Sequence, residues 1–269
     1  MNDFSLINTS QARADILSAL KNYYLFITLG WQDVATRYRR SRVGAFWLTI
    51  NMLVMISVLG VVFGTLFRAP VAEFLPSLTI GIIVWGLISG LINEGCGSFI
   101  TAQETILQVR MPLATHILRV VWRNMIITAH NLLIIPIVFL IFMKPVNYLA
   151  LLSLLGLTLL IINMVWMMLI LAVICTRFRD FTQIAQNAMQ VLFYATPIIW
   201  HAETLPGRYA QDLLNINPFY HLLNIVREPL LGSMPTTVNW VASIVMAIIG
   251  WVFALAFFNR FRKRVPYWL

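Results

Sequence analysis

The chain has 269 residues, of which 60% are hydrophobic and only 11% are charged, and its formal net charge is +9. About a quarter of the residues of an ordinary soluble domain are charged, so this composition excludes that class and indicates an integral membrane protein. Membrane orientation and anionic lipid headgroups account for the positive charge. No soluble basic domain is present that could hold nucleic acid, so we expect membrane lipids and no nucleic acid among the partners.

An amphipathic helix is predicted before the first long apolar stretch. Apolar residues recur at spacings of three and four over 13–40, which indicates one face of an α-helix. Such a helix either lies in the membrane interface or packs on a partner protein. Aromatic residues and arginines near its end favour the interface.

Six apolar stretches follow, and each is long enough to cross a bilayer, which takes about 20 apolar residues. Six spans place both termini on one side, and cytoplasmic segments collect lysine and arginine. With cytoplasmic termini, the lysine and arginine residues left on the outer side are only Arg68, Lys144, Arg208 and Arg227. The predicted all-α fold therefore has spans at 43–67, 74–98, 117–143, 147–175, 181–201 and 237–259.

A short cytoplasmic helix parallel to the membrane is predicted at 101–112, between the second and third spans. Thr101 and Glu104 are spaced like an N-terminal capping box. Pro112 either ends this short helix or starts the next one.

Charged residues inside predicted spans need partners. Glu94 lies late in the second span, and Arg119 and Arg123 lie early in the third. We predict an ion pair among these three residues. It either fixes the two spans together or acts as a gate that breaks during transport.

The segment 203–234 is rich in proline and aromatic residues and lies on the outer side in this topology. We predict that it is re-entrant, with two short helices near 208–215 and 218–231. The alternative is a cap that lies on the membrane surface. Irregular backbone at membrane depth must be buried in protein or line a water-filled path, so a re-entrant segment indicates a transport route.

The sequence contains no HExxH, GxSxG or CxxC motif and no P-loop. A P-loop needs a lysine after a glycine, and none of the lysines at positions 21, 144 and 263 follows one. We therefore expect no catalytic residue, no metal site and no cofactor in this chain.

These features together resemble the membrane subunit of a type-2 ABC exporter. Within that superfamily they are most similar to the exporters of lipid-linked polysaccharide, namely O-antigen, capsule and teichoic acid. Four segments carry the resemblance in order. They are RYRRSRVGAFWLT at 37–49, ETILQVRMPLATHIL at 104–118, RFRDF at 177–181 with TPIIW at 196–200, and NPFYHLLNIVREPLLG at 217–232.

The resemblance implies a homodimer of this chain in the bacterial inner (plasma) membrane, together with two copies of a separate ATP-binding subunit that holds ATP and Mg²⁺. ATP hydrolysis would belong to that subunit, and this chain would not be an enzyme. The resemblance also implies that the re-entrant helices close the channel exit and that 101–112 is a coupling helix docked on the ATPase. The expected contacts are Gln103, Glu104, Leu107, Arg110, Met111 and Pro112.

The implied cargo is a sugar chain on an isoprenoid pyrophosphate. Arginine suits phosphate through its forked donors, although arginines at helix ends also anchor proteins in membranes. The candidate pyrophosphate contacts are Arg37, Arg39, Arg40 and Arg42. Aromatic rings can slide along the apolar faces of sugars, although many belong to the lipid belt. The candidate channel aromatics are Phe46, Trp47, Phe193, Tyr194, Trp200, Phe219 and Tyr220.

Three other functions stay open. The chain could belong to a type-2 ABC exporter of another cargo, such as a drug or a lipid. It could be a polytopic membrane enzyme of envelope biosynthesis, although Asp33, Glu104 and Asp180 are too dispersed in the sequence to indicate a catalytic cluster. It could also be a scaffold for an envelope complex.

Overall fold

The computed structural model describes residues 9–39, 43–44, 46–68, 70–200 and 214–269 of the chain, and over these ranges the protein is helical and has no β-strand. Short 3-10 helices at Tyr148–Leu151 and Arg262–Arg264 adjoin two of the long helices. The α-helices are α1 (Ser10–Lys21), α2 (Tyr23–Tyr38), α3 (Phe46–Leu66), α4 (Val71–Cys96), α5 (Ser98–Thr101), α6 (Gln103–Gln108), α7 (Leu113–Leu132), α8 (Ile134–Ile141), α9 (Leu152–Arg177), α10 (Phe181–Ala195), α11 (Pro218–Leu230), α12 (Thr237–Phe261) and α13 (Val265–Trp268).

Five helical segments among the described residues are long and apolar enough to cross a membrane. Helices are the natural spanning structure, because each satisfies its own backbone hydrogen bonds away from water. The predicted fifth span at 181–201 begins with α10, a helix of 15 residues, and the chain bends after it. Six spans therefore stay a prediction. The five segments are Phe46–Leu66, Val71–Cys96, Leu113–Ile141, Tyr148–Arg177 and Thr237–Trp268.

The second of these segments, α4, lies at the centre of the bundle. Of its most apolar stretch, 78% is buried within the chain, against 11% for α3. It packs against α3, α7, α9, α10 and α11, and the side chains of Ile80, Ile88 and Leu91 have no exposed surface. The outward surface of α3, in contrast, is left for lipid or for another protein chain.

Helix α11 comes from the predicted outer segment and packs against α4, α9 and α12. The Oδ1 atom of Asn217 accepts the backbone N–H of Phe219 at 3.0 Å and caps the helix. Pro218 fills the first helical position, where no N–H is needed. Leu223 is fully buried, so α11 is a helix of the core. The other helix predicted near 208–215 lies mostly outside the described residues.

The amphipathic helix predicted over 13–40 is two helices, α1 and α2, which meet at Asn22. The side-chain Nδ2 and the backbone N–H of Asn22 both donate to the carbonyl of Ser18 at 3.0 Å, and this ends α1. Both helices pack on α7, and α1 also contacts α12. Apolar side chains such as Leu17 and Trp31 stay exposed on their outer side.

The segment 101–112 divides into the end of α5, the helix α6 and an extended stretch before α7. The predicted capping box is wrong. Thr101 is the last residue of α5, and its hydroxyl donates to the carbonyl of Gly97 at 3.0 Å. The helical structure that follows Gly97 starts one turn before the predicted helix. The hydroxyl of Thr101 therefore bonds to a residue that precedes it in the chain and cannot cap α6, whose N-cap is Ala102.

Candidate functional site

Four charged side chains from three helices meet at the end of the bundle that carries α6. Asp33 of α2 accepts hydrogen bonds from Arg119 Nε at 2.8 Å and from Arg123 Nη1 at 2.9 Å, and both arginines belong to α7. Arg123 also donates to Glu94 of α4, at 2.8 Å and 3.1 Å. Asn124 adds a bond of 2.6 Å to the same carboxylate. This cluster fastens α2 to α7 and α7 to α4.

The sequence groups Glu94 with Arg119 and Arg123 but does not point to Asp33. Two arginines four residues apart on one helix face repel each other unless acidic side chains oppose both of them. This spacing could have indicated that a second acidic residue, besides Glu94, belongs to the cluster. Burial acts to raise the pKa of Asp33, but the hydrogen bonds and charges of Arg119 and Arg123 outweigh it and hold that pKa below its ordinary value. Asp33 is therefore ionised at neutral pH.

Asp15 of α1 caps the first turn of α7 from a neighbouring helix. Its carboxylate accepts the backbone N–H groups of Leu113 at 3.3 Å and Ala114 at 2.9 Å, which have no acceptor inside α7. Arg262, which follows α12, approaches the same carboxylate at 3.1 Å. Burial raises the pKa of Asp15, although these contacts act in the opposite direction. The start of α7 is thus tied to α1 and to the segment after α12.

Helix α6 projects side chains away from the bundle. It carries no buried residue, and Leu107 is 56% exposed. We call the exposed residues of α6 the docking surface, since they are the ones that a partner protein could reach. Of the predicted coupling residues, the exposed ones are Glu104, Leu107 and Arg110, and the half-buried ones are Gln103, Met111 and Pro112.

The inner side of α6 is held by the C-terminal segment. Gln103 Nε2 donates to the backbone oxygen of Leu269 at 2.7 Å, and α13 packs against both α6 and α9. The guanidinium of Arg177, at the end of α9, lies 5.7 Å from the ring of Trp268. Gln103 therefore positions α6, while the exposed residues of α6 face outward.

Of the four arginines predicted to meet a pyrophosphate, the structure describes Arg37 and Arg39, and both are exposed. Arg37 lies one helical turn after Asp33, next to the charged cluster. Arg40 and Arg42 lie outside the described residues.

The predicted channel aromatics divide into two groups. Phe193 of α10 and Phe219 of α11 both pack against Trp85 of α4, each with ring centroids 5.9 Å apart. Trp85 has no signal in the sequence that separates it from other membrane aromatics. The remaining members are at least partly exposed and are Phe46, Trp47, Tyr194, Trp200 and Tyr220.

A family model described as ABC-2 type transporter matches residues 24–231. The chain belongs to the ABC-2 type transporter family. It is also similar to the O-antigen export system permease protein RfbA of Myxococcus xanthus, with 24% identity over 237 residues, which are 81% of this chain and 90% of that protein. A protein of the same name from Klebsiella pneumoniae is 22% identical over 252 residues, 89% of this chain and 93% of its own.

These findings confirm the resemblance to the membrane subunits of type-2 ABC exporters. The chain is therefore a multi-pass membrane protein, and its family implies an ATP-binding partner in the transporter.

In this ABC-2 transporter subunit, helix α10 presents amide side chains on a surface that its own chain leaves uncovered. Its buried residues are Ala185 and Met189. An amide that faces hydrocarbon without a hydrogen-bond partner costs roughly 2–7 kcal/mol. Gln183 Nε2 donates to Oδ1 of Asn187 at 3.3 Å, but this single bond leaves most donors and acceptors of the exposed amides to be satisfied by water or by another protein. The exposed amides are Gln183, Gln186, Asn187 and Gln190.

Replacing Asp33 by asparagine removes the carboxylate that Arg119 binds. We expect Asp33→Asn to lower the free energy of unfolding by about 1–3 kcal/mol at neutral pH. Asp180→Asn removes an exposed carboxylate and is the matched control, which should change stability little. Thermal unfolding of the purified variants measures both effects.

The same comparison has a defined pH dependence. Because the pKa of Asp33 is depressed in the folded protein, its stabilisation is complete above the ordinary aspartate pKa and is lost as the pH falls through the lower folded-state pKa. The difference between wild type and Asp33→Asn should therefore shrink as the pH is taken from neutral to about 3. A difference that stays constant over this range would contradict the ion-pair assignment.

Proposed function

We propose that this chain is the channel-forming membrane subunit of an ATP-driven exporter of lipid-linked polysaccharide, of the O-antigen class. The exporter moves its cargo from the cytoplasmic to the outer side of the bacterial inner membrane. Two copies of this chain form the channel, and two copies of an ATP-binding subunit hold ATP and Mg²⁺ and drive transport. This chain has no catalytic role of its own.

The observation that carries the proposal is the amide face of α10. This face has four exposed amides and no charged residue, and one of them, Gln186, also borders a cavity between the helices. When two copies oppose these faces, the amides border a polar path and no longer meet lipid. Amides donate and accept hydrogen bonds with the hydroxyl groups of sugars without demanding charge. The face suits a neutral polymer better than an ion.

The exposed surface of α3 completes the wall of this path in the proposal. Only 11% of its most apolar stretch is buried, so it needs lipid or a second chain against it. Phe46 and Trp47 at its start, together with Tyr194 at the end of α10, are exposed rings that a sugar chain can contact.

A topology of six spans with cytoplasmic termini fits this arrangement, with α10 and the bend after it as the fifth span and α11 as a re-entrant helix. Packing of α11 against three long helices supports this assignment. Arg227 of α11 donates to the carbonyl of Pro197 at 2.6 Å and to Asn224 at 2.8 Å, so it ties α11 to the bend. The outer end of the channel is then closed by a segment held in protein.

The polysaccharide cargo is supported by the relatives. The proteins named as O-antigen export permeases align with this chain over 90% or more of their own length. Their identity to it is 21–24%.

Cysteine cross-linking tests the channel arrangement. We expect Asn187→Cys to give a cross-linked dimer in membranes with a short bifunctional thiol reagent, because the α10 faces of the two copies oppose each other. The native cysteines Cys96 and Cys175 are buried and contribute little background. Val252→Cys is the control, since Val252 of α12 is 67% exposed and faces lipid in the proposal. Equal dimer yields at the two positions would contradict it.

Co-purification tests the docking of α6. We expect the double variant Glu104→Lys, Arg110→Glu to lose the ATP-binding subunit that wild-type chain retains in mild detergent, because both exposed charges of the docking surface are reversed. In cells that lack the native gene, the variant should also fail to restore surface polysaccharide. Mass spectrometry of the purified complex and immunoblotting of surface glycan measure the two effects.

The control for this experiment is Glu73→Lys, Lys144→Glu, which makes the same charge exchange in residues remote from α6. It should retain the ATPase and export. Retention of the ATPase by the Glu104→Lys, Arg110→Glu variant would contradict the docking role of α6. Normal surface polysaccharide in cells without the chain would contradict the cargo and point to an exporter of another substrate.

A further inference from the structure

A cavity of about 400 Å³ lies beside the charged cluster, between α2, α4, α5, α7 and α10. A water molecule occupies about 30 Å³ in the liquid, so this space holds a group much larger than one water. The side chain of Gln186, from the amide face of α10, forms part of its wall. The cavity is therefore contiguous with the surface that we assign to the channel.

Polar groups without partners line this cavity. His116 is 2% exposed, and neither of its ring nitrogens has a hydrogen-bond partner among the described residues. The hydroxyl of Ser98, also 2% exposed, is unpartnered as well, and so is Oδ1 of Asn93. Leaving a buried polar group unsatisfied costs about 1–3 kcal/mol, and native proteins keep few such groups. Three around one cavity indicate that a polar ligand or water completes them.

The charge around the cavity is positive. Arg119 and Arg123 are matched by the carboxylates of Asp33 and Glu94. Glu94 itself is in the wall, but it already accepts three hydrogen bonds from Arg123 and Asn124.

Arg37 also lines the cavity, and no acid opposes its guanidinium among the described residues. The unbalanced charge is therefore one positive charge. It favours an anion over a cation in this space.

We propose that this cavity binds the phosphate or pyrophosphate group of a ligand, with Arg37 as its charge partner and with His116 and Ser98 as hydrogen-bond donors from the buried side. Arginine binds phosphate oxygens with two parallel N–H groups, and the histidine and serine approach from two other helices of the wall, α7 and α5. The proposal deepens the proposed function, on which it rests for the identity of the ligand. The pyrophosphate then belongs to the lipid carrier of the cargo, and free phosphate compounds are the other source of the same chemistry.

Calorimetric titration of the full-length chain in detergent tests the site. The probes are inorganic pyrophosphate, farnesyl pyrophosphate as a short isoprenoid pyrophosphate, and farnesol as the same tail without phosphate. We expect both pyrophosphates to bind the wild type and farnesol to leave that binding unchanged. Tighter binding of farnesyl pyrophosphate assigns the site to a lipid-borne group, and equal binding assigns it to free phosphate.

Arg37→Gln and His116→Asn should each weaken binding by about tenfold or more, the scale of a lost charge-assisted hydrogen bond. Arg13→Gln removes an equal charge from an exposed position of α1 outside the cavity and should change binding by less than about threefold. Arg37 is exposed, so its variant keeps the test valid even where the buried His116 variant fails to fold.

Two results would overturn the proposal: no binding of either pyrophosphate to the wild type, or equal weakening by Arg37→Gln and Arg13→Gln, which is the behaviour of diffuse surface charge. The chain is titrated without its ATPase. Failure to bind pyrophosphate therefore does not contradict the assignment as an exporter. Conversely, if the exporter assignment is disproved, the titration still shows whether the cavity binds phosphate.

Discussion

Two carboxylates opposed to two guanidinium groups hold α2, α4 and α7 together at the end of the bundle that carries α6. Asp33 and Glu94 share Arg123, and Arg119 completes the set. In a partly buried site, removing one partner leaves another charge unpaired, which costs more than the intact pair contributes. The cluster therefore gives these three helices a single relative arrangement. Since α6 lies in the chain between α4 and α7, its position depends on that arrangement.

In the proposed exporter, a force applied to α6 would reach the spans through these contacts. The segment after α6 leads directly into α7, whose first turn is capped by Asp15 of α1. On its inner side α6 is bonded through Gln103 to the segment after α12. Movement of an ATPase against α6 would thus displace the bundle as one body, which is the behaviour of rigid-body switching between subunits. In the proposed dimer the displacement would be taken up at α3 and α10, two helices of which the chain itself buries only a few residues.

Patterns among neighbouring residues in the sequence predicted the structural features that depend on interactions between neighbouring residues. The absence of charge marked the long apolar helices, and the helix predicted near 218–231 is observed as α11. Contacts between residues that are distant in the chain have no comparable signal in the sequence. Asp33 and Asp15 act on α7 from 86 and 99 residues away, and nothing around them in the sequence distinguishes them from solvated acids. The capping box at Thr101 failed because a nearer carbonyl, that of Gly97, took its hydroxyl.

The amide face of α10 was within reach of sequence reasoning and was missed for a physical reason. Counting charges treats glutamine and asparagine as neutral, although an amide in hydrocarbon is costly. Gln183, Gln186 and Gln190 recur with the period of one helix face, which is a signal for a polar surface inside a membrane.

Amide and charged side chains suit two different tasks along the proposed channel, namely sliding of the polymer and recognition of its phosphate group. A polymer that must slide needs many weak contacts, and each amide contributes only about 1 kcal/mol net because water competes with it. A phosphate that must be recognised needs strong ones, and the unbalanced guanidinium of Arg37 lies at the end where α10 begins. In the proposed channel, charge at the start and amides beyond it would let one chain hold the head of its cargo firmly and its length loosely.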